Sequence, residues 1–318
     1  SAYKHYRWTV LAIQEVTQNS MQIAEVELLA AVGGNNCEIA GFITPPVDTP
    51  VLEGEMATFF TEVNGPWAVQ WYVNDEPIPG ATQTTYTTEP VTAANADNVY
   101  SVEIVGCMMS QGVMANIFTP SSTVSYGVNV RGGGGDGGAN GAPTDMLETD
   151  IAGFWMQAYW NNVDPGTALP LVDSNNQASD VTVTFASTGL WGAGTGTDDA
   201  NSRMFNGLQD NATGVTFSNV PDGSHSIIAY SVARPLEFPN VDYTAGGTTI
   251  YGRQLNSNEY NPAPGFYSMT STDPANRSVG NMVRFDGLTP ANGEITLSVA
   301  AAGGGNVTIN GVQLLIDP

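Results

Sequence analysis

Lysine is almost absent from this chain of 318 residues: Lys4 is the only one, and 8 basic residues in total face 31 acids. A net charge of −23 repels phosphate backbones and anionic membrane surfaces, which argues against nucleic acid or a charged bilayer as a partner. Cysteine is scarce too, with Cys37 and Cys107 alone, so there is no CxxC redox pair and no zinc cluster. The two histidines, His5 and His225, stand in no Ser-His-Asp or metal-ligand spacing and read as surface or turn residues. GxSxG, HExxH, Walker and GxGxxG contexts are missing. Hydrolysis needs a nucleophile with its base, or two facing carboxylates, and no such set stands out. The expectation is a protein that is not an enzyme and carries no cofactor. No stretch approaches the roughly 18 apolar residues of a spanning helix, and no long helix-period run is present.

What is abundant points to β-structure: 36 Gly, 19 Pro, and many Thr, Val, Asn and Ser. The expected fold class is all-β, as tandem antiparallel β-sandwiches with an N-terminal strand pair. Two cysteines among so many strands suit an oxidising compartment. With Ser1 at its start, the chain reads as a mature, exported product, and an extracellular or cell-surface location is expected. Four segments follow from composition: a strand pair and hinge at 1–36, a sandwich at 37–130, a Gly-rich linker at 131–143, and a larger sandwich at 144–318.

The first segment alternates cleanly. In Ala2–Ile13, Tyr6, Trp8 and Val10 share one face, and in Met21–Leu29 Val26 and Leu28 lie opposite Ile23, Glu25 and Glu27. A lone ribbon is marginal in water, so its apolar face needs a partner. Tyr3-x-x-Tyr6-Arg7-Trp8 followed by Met21-Gln-Ile-Ala-Glu-Val-Glu-Leu28 resembles the C-terminal end of a discoidin-like (coagulation-factor type C, galactose-binding-like) domain. The family's usual ligand loops lie outside these residues, so the resemblance implies no sugar or lipid binding.

Residues 37–130 resemble a bacterial immunoglobulin-like domain. Gly54–Phe60 reads as strand B, Val69–Asp75 as strand C with Trp71 as the core tryptophan, Thr84–Thr87 as the approach to strand E, and Asp97–Val102 as strand F with Tyr100 at its start. Where antibody domains place cysteines, this chain has Phe60 and Val102, implying an apolar core. The same topology puts Cys37 and Cys107 at one end of the sandwich, where a bridge is plausible. Residues 144–318 carry further strand runs, among them Val181–Phe185, Val215–Tyr230 and Val307–Ile316, separated by turn residues. The stretches Thr216–Ser231 and Ile309–Asp317 resemble jelly-roll modules of secreted planctomycete-type bacterial proteins, which imply no known activity.

Asp173, Asp198 and Asp199 sit in oxygen-rich loops of the kind that hold calcium, although such turns form without metal as well. Trp155, Trp160 and Trp191 suit a sugar-stacking platform or, more simply, a core. Asn211, Asn276 and Asn306 head N-x-[S/T] sequons, and surface glycans are possible partners. The reading that draws most on the sequence is a structural subunit of an extracellular filament. Copies of the chain would join head to tail as a helical homopolymer by β-strand complementation. The alternative is a carbohydrate-binding or adhesive module of a larger envelope protein.

Overall fold

The computed structural model describes residues 37–317, apart from 120, 133–143, 167, 187–188, 196–198, 262–263 and 304. The alternating pair at 3–29, with Tyr6, Trp8, Val10, Ile23, Val26 and Leu28, lies outside the described residues. Within them the chain is all-β and forms two sandwiches. Period-two patterning translates directly into strands: in Glu294–Ala301, Ile295, Leu297 and Val299 are buried while the residues between them are exposed. The turn before it places Asn292 and Gly293 at positive φ (56° and 76°), the backbone that a two-residue hairpin turn requires.

The smaller sandwich has one sheet ordered Thr49–Val51, Val113–Ile117, Val99–Ile104, Val69–Val73 and Glu76–Pro77, with Met108–Met109 beside Val99–Ile104. The facing layer pairs Thr58–Phe60 with Thr85–Thr87, and Phe42–Thr44 with Glu62–Val63. Between them Trp71, Tyr100 and Val102 are buried, and the Trp71 Nε1–H donates to the Gln83 carbonyl at 2.9 Å. Phe60 is a correction. It is 50% exposed, and Phe59, 1% exposed, fills the core place, 5.0 Å from the Tyr100 ring and 6.1 Å from Trp71. Strand B is shifted by one residue from the sequence expectation, and a one-residue shift exchanges the faces of a strand.

The larger sandwich stacks a sheet ordered Asn161–Val163, Val124–Val130, Gly311–Ile316, His225–Tyr230 and Met282–Leu288 on a second one. That second sheet contains Leu169–Val172, Ala178–Phe185, Gly214–Ser218, Glu294–Ala301, Asn240–Ala245 and Thr248–Asn256. Val128, Val183, Phe217, Ile227, Tyr243, Leu297 and Leu314 are among its core residues. A short helix, Ala200–Asn206, covers one side and buries Met204 and Phe205 with Trp160, Tyr230 and Tyr260.

The boundary expected at 130 is also corrected. Val124–Val130 pairs antiparallel with Gly311–Ile316 and parallel with Asn161–Val163, so it belongs to the larger sandwich. The crossing falls between Ile117 and Val124. The Gly-rich stretch therefore joins two strands of one sheet rather than two domains. The residues on either side of 133–143 are held together: Arg131 pairs with Asp145 at 2.9 Å. Composition marked the stretch as a linker, but composition carries no information about which sheet the preceding strand enters.

Candidate binding cleft

The cleft begins with two prolines. Phe42–Thr44 runs beside Glu62–Val63, and then Pro45 and Pro46 interrupt the ladder, because proline supplies no N–H. The chain crosses to the opposite sheet, where Thr49–Val51 pairs in parallel with Ala115–Ile117. Strand Thr58–Phe60 is thereby left with one described partner, Thr85–Thr87. On that side the Thr88 N–H donates to the Ala57 carbonyl and the Thr61 N–H to the Thr84 carbonyl, both at 2.9 Å. Antiparallel ladders alternate, so the main-chain groups of Thr58 and Phe60 point the other way.

Beside this uncovered edge lies a cavity of about 870 Å³. The smaller sandwich lines it with Val47, Asp48, Met56, Phe60 and neighbours, and the larger one with Thr149, Asp150, Ile151, Asp199, Ala200, Asn201 and Arg203. Val47, Met56 and Phe60 are exposed apolar side chains, and Asp48 and Glu55 add negative charge at the same place. The far wall is rigidly built. Arg203 and Asp150 form a buried ion pair, in which Nε donates to Oδ2 at 2.9 Å and Nη2 to Oδ1. Asp199 caps the helix, its Oδ1 accepting from the Ser202 N–H at 2.9 Å, and Asn201 Oδ1 accepts from the Gly153 N–H at 3.0 Å. Asp199 and Asn201 also line a smaller cavity of about 100 Å³ with Tyr260 and Phe266. Burial, reinforced by the nearby Asp199 charge, raises the Tyr260 phenol above its ordinary range. The two carboxylates of the far wall, Asp150 and Asp199, are thus both engaged in holding the structure. What the cleft offers a ligand is an apolar floor, an acidic rim and an open strand edge.

The sequence candidates fall elsewhere, and the structure does not gather them. Cys37 and Cys107 are joined in a disulfide with 5.1 Å between Cα atoms. Asp173 folds onto its own loop, its Oδ1 accepting from the N–H groups of Asn175 and Gln177 at 2.8 and 2.9 Å, while Asp198 lies outside the described residues. Among the described residues no group of three or more metal-ligating side chains is found. Asn211 and Asn276 are exposed and Asn306 is half-buried. His225 is corrected from a surface residue to a buried one, with Nε2 2.8 Å from the Pro221 carbonyl oxygen. The tryptophans divide: Trp160 is core and Trp155 partly so, but Trp191 is 42% exposed, with the Arg234 guanidinium 5.1 Å from its ring centre. Sequence reading missed the cleft. Pro45-Pro46 was its one local signal.

Among the described residues no helix is long and apolar enough to cross a membrane. No protein-family model and no curated protein matches the chain. Solved structures that do match include a Bacteroides uniformis β-glucuronidase 2, with 12% identity over 86% of this chain and a TM-score of 0.36. The chain spans 29% of that protein's length. The ANX2 ectodomain of Arabidopsis thaliana matches at 10% identity over 88% of this chain and 83% of its own, with a TM-score of 0.33. Tandem immunoglobulin repeats of Dlar match at 10% identity over 85% and 92%, with a TM-score of 0.23. Likenesses this distant carry no functional argument.

Proposed function

We propose that this chain is a non-catalytic, extracellular β-sandwich protein that works by attachment. In the finer form of the reading, it is the structural subunit of a surface filament, joined head to tail by strand complementation. The observation that carries this is the cleft at the sandwich junction, where exposed apolar side chains lie against a strand edge that lacks a described partner. Such an edge suits main-chain pairing with another polypeptide. The alternating segments Tyr3–Ile13 and Met21–Leu29 have the pattern of strands to donate, a reading that rests on sequence alone. The net charge of −23 is compatible with a well-solvated secreted surface. Negative-stain imaging and sedimentation of the purified full chain test the proposal. Ordered fibres or a ladder of oligomers are expected, and a strict monomer at high concentration counts against it.

A carbohydrate-adhesive reading is favoured by a different feature, the exposed Trp191 and Phe238 on the larger sandwich. Each has an arginine over its ring, Arg234 at 5.1 Å and Arg253 at 5.5 Å. Exposed aromatic faces beside charged hydrogen-bonding groups suit sugar stacking. Retention on immobilised glycans that Trp191→Ala abolishes would favour this reading over the first.

A further inference from the structure

We infer that the outward edge of Thr58–Phe60 is the acceptor for one added β-strand, and that its occupant is the segment Tyr3–Ile13 of a second copy. The inference rests on the assembly reading above and assigns it a site.

Two strand edges border the cleft, and they are not equivalent. Thr49–Val51 is the end strand of its sheet, but Pro50 sits at its centre and supplies no N–H, which blunts it for further pairing. Thr58–Phe60 has no proline, and its outward N–H and C=O groups come from Thr58 and Phe60, on either side of the buried Phe59. The region is open because the first strand of the sandwich leaves it at Pro45-Pro46. A strand laid there takes the place that first strand vacates.

The side-chain chemistry selects the occupant. Val47, Met56, Phe60 and Ile151 offer an apolar floor for one face of an alternating segment, and Tyr6, Trp8 and Val10 are such a face. The cleft also carries Asp48 and Glu55. Tyr3–Ile13 contains Lys4 and Arg7, two of only 8 lysines and arginines in the chain. By contrast, Met21–Leu29 contains Glu25 and Glu27 and no base, which the acidic rim repels.

The disulfide fixes where the tether starts. Cys37, held to Cys107, sits beyond Ile104, whereas the cleft lies by Val51. The registers pairing Ile117 with Val51, Val113 with Tyr100 and Val69 with Ile104 put these ends roughly 27 Å apart along the sandwich. Residues 14–36 are long enough, at up to about 75 Å extended, to span that distance within one copy, so isotope mixing decides between the copies. In the assembly reading the anchor at Cys37 lies at one end of the sandwich and the cleft opens towards the other. This is the polarity of a head-to-tail joint.

Because Lys4 is the single lysine, its cross-links are readily assigned. Nitrogen-15-labelled and unlabelled full-length chains are mixed, coupled with a zero-length carbodiimide reagent, digested and analysed by mass spectrometry. Mixed-isotope links from Lys4 to Asp48 or Glu55 are expected. Thr58→Pro and Phe60→Asp should each weaken self-association roughly tenfold or more by sedimentation, with circular dichroism unchanged. Phe60→Asp changes an exposed side chain, so it remains informative if the proline variant misfolds. Mixed-isotope links to other carboxylates, with Phe60→Asp associating like the parent, overturn the acceptor site and leave assembly standing. Links confined to one isotope mean docking within a single copy, which also overturns it. A chain that stays monomeric and forms no such link removes the assembly reading itself.

Discussion

Phe59 and Phe60 are adjacent and chemically identical, yet one is sealed between Trp71 and Tyr100 and the other faces the cleft. Truncating them should give very different results. Phe59→Ala and Trp71→Ala each open a cavity in a close-packed core and should cost about 3–5 kcal/mol. Phe60→Ala should move stability by no more than about 0.5 kcal/mol. Urea unfolding followed by intrinsic fluorescence for Phe59→Ala and Phe60→Ala, and by circular dichroism for Trp71→Ala, separates the three. Glu259 supplies a pH-dependent case. Its carboxylate accepts a two-pronged hydrogen bond from Arg253, at 2.9 and 3.0 Å, and also accepts from the Asn256 N–H at 3.1 Å. The Arg253 contact chiefly, and the Asn256 N–H as well, hold its pKa below the ordinary value. A carboxylate whose folded pKa is depressed contributes stability above its unfolded pKa and loses it as pH falls through the folded one. Stability should therefore decline on acidification below the ordinary glutamate range, and Glu259→Gln should flatten that part of the profile. Thermal melts across an acid pH series measure it; an unchanged slope in the variant assigns the decline to other carboxylates.

At the scale of elements, helix Ala200–Asn206 is short, and isolated helices of this length are marginal in water. It persists because it is fastened at its start, along its side and beneath. Asp199 caps its start, Met204 and Phe205 fill the core under it, and Arg203 is locked to Asp150 on the segment between strands Val124–Val130 and Asn161–Val163. The ion pair is almost fully enclosed, so its desolvation cost roughly offsets its attraction, and breaking it from one side is the expensive event. Asp150→Ala should cost about 3–5 kcal/mol by removing a two-pronged carboxylate from the enclosed Arg203 guanidinium, and the double variant Asp150→Ala/Arg203→Met should recover a large part of that loss. A double-mutant cycle by thermal unfolding reads the coupling. Near-additive effects would mean that other groups hold Arg203 once Asp150 is removed.

For the whole molecule, the disulfide is the long-range constraint within the smaller sandwich. It spans 70 residues and fastens the entry of the chain to the hairpin turn after Val99–Ile104. In the chain-entropy model a loop of that size is worth about 4 kcal/mol. Reduction should lower the unfolding temperature of the smaller sandwich and leave the larger one, which lacks cysteine, nearly unchanged. Differential scanning calorimetry with and without reductant tests this directly. If both transitions shift together, the two sandwiches unfold as one unit.

Period-two alternation and composition determined the fold class and most strand positions. The core roles of Trp71, Tyr100 and Val102 and the pairing of the two cysteines came from the resemblance to an immunoglobulin-like domain, which the sequence also carries. Tertiary structure decided the rest. Whether Phe59 or Phe60 points inward depends on strand register, and both fit an apolar strand equally well in sequence. Val124–Val130 could have completed either sandwich; it joined the larger because Gly311–Ile316, nearly two hundred residues later, offers its complementary edge. The cleft was illegible for the same reason. It is made of an edge left open by a strand that departs and a wall supplied by another sandwich, and neither exists until distant segments have packed.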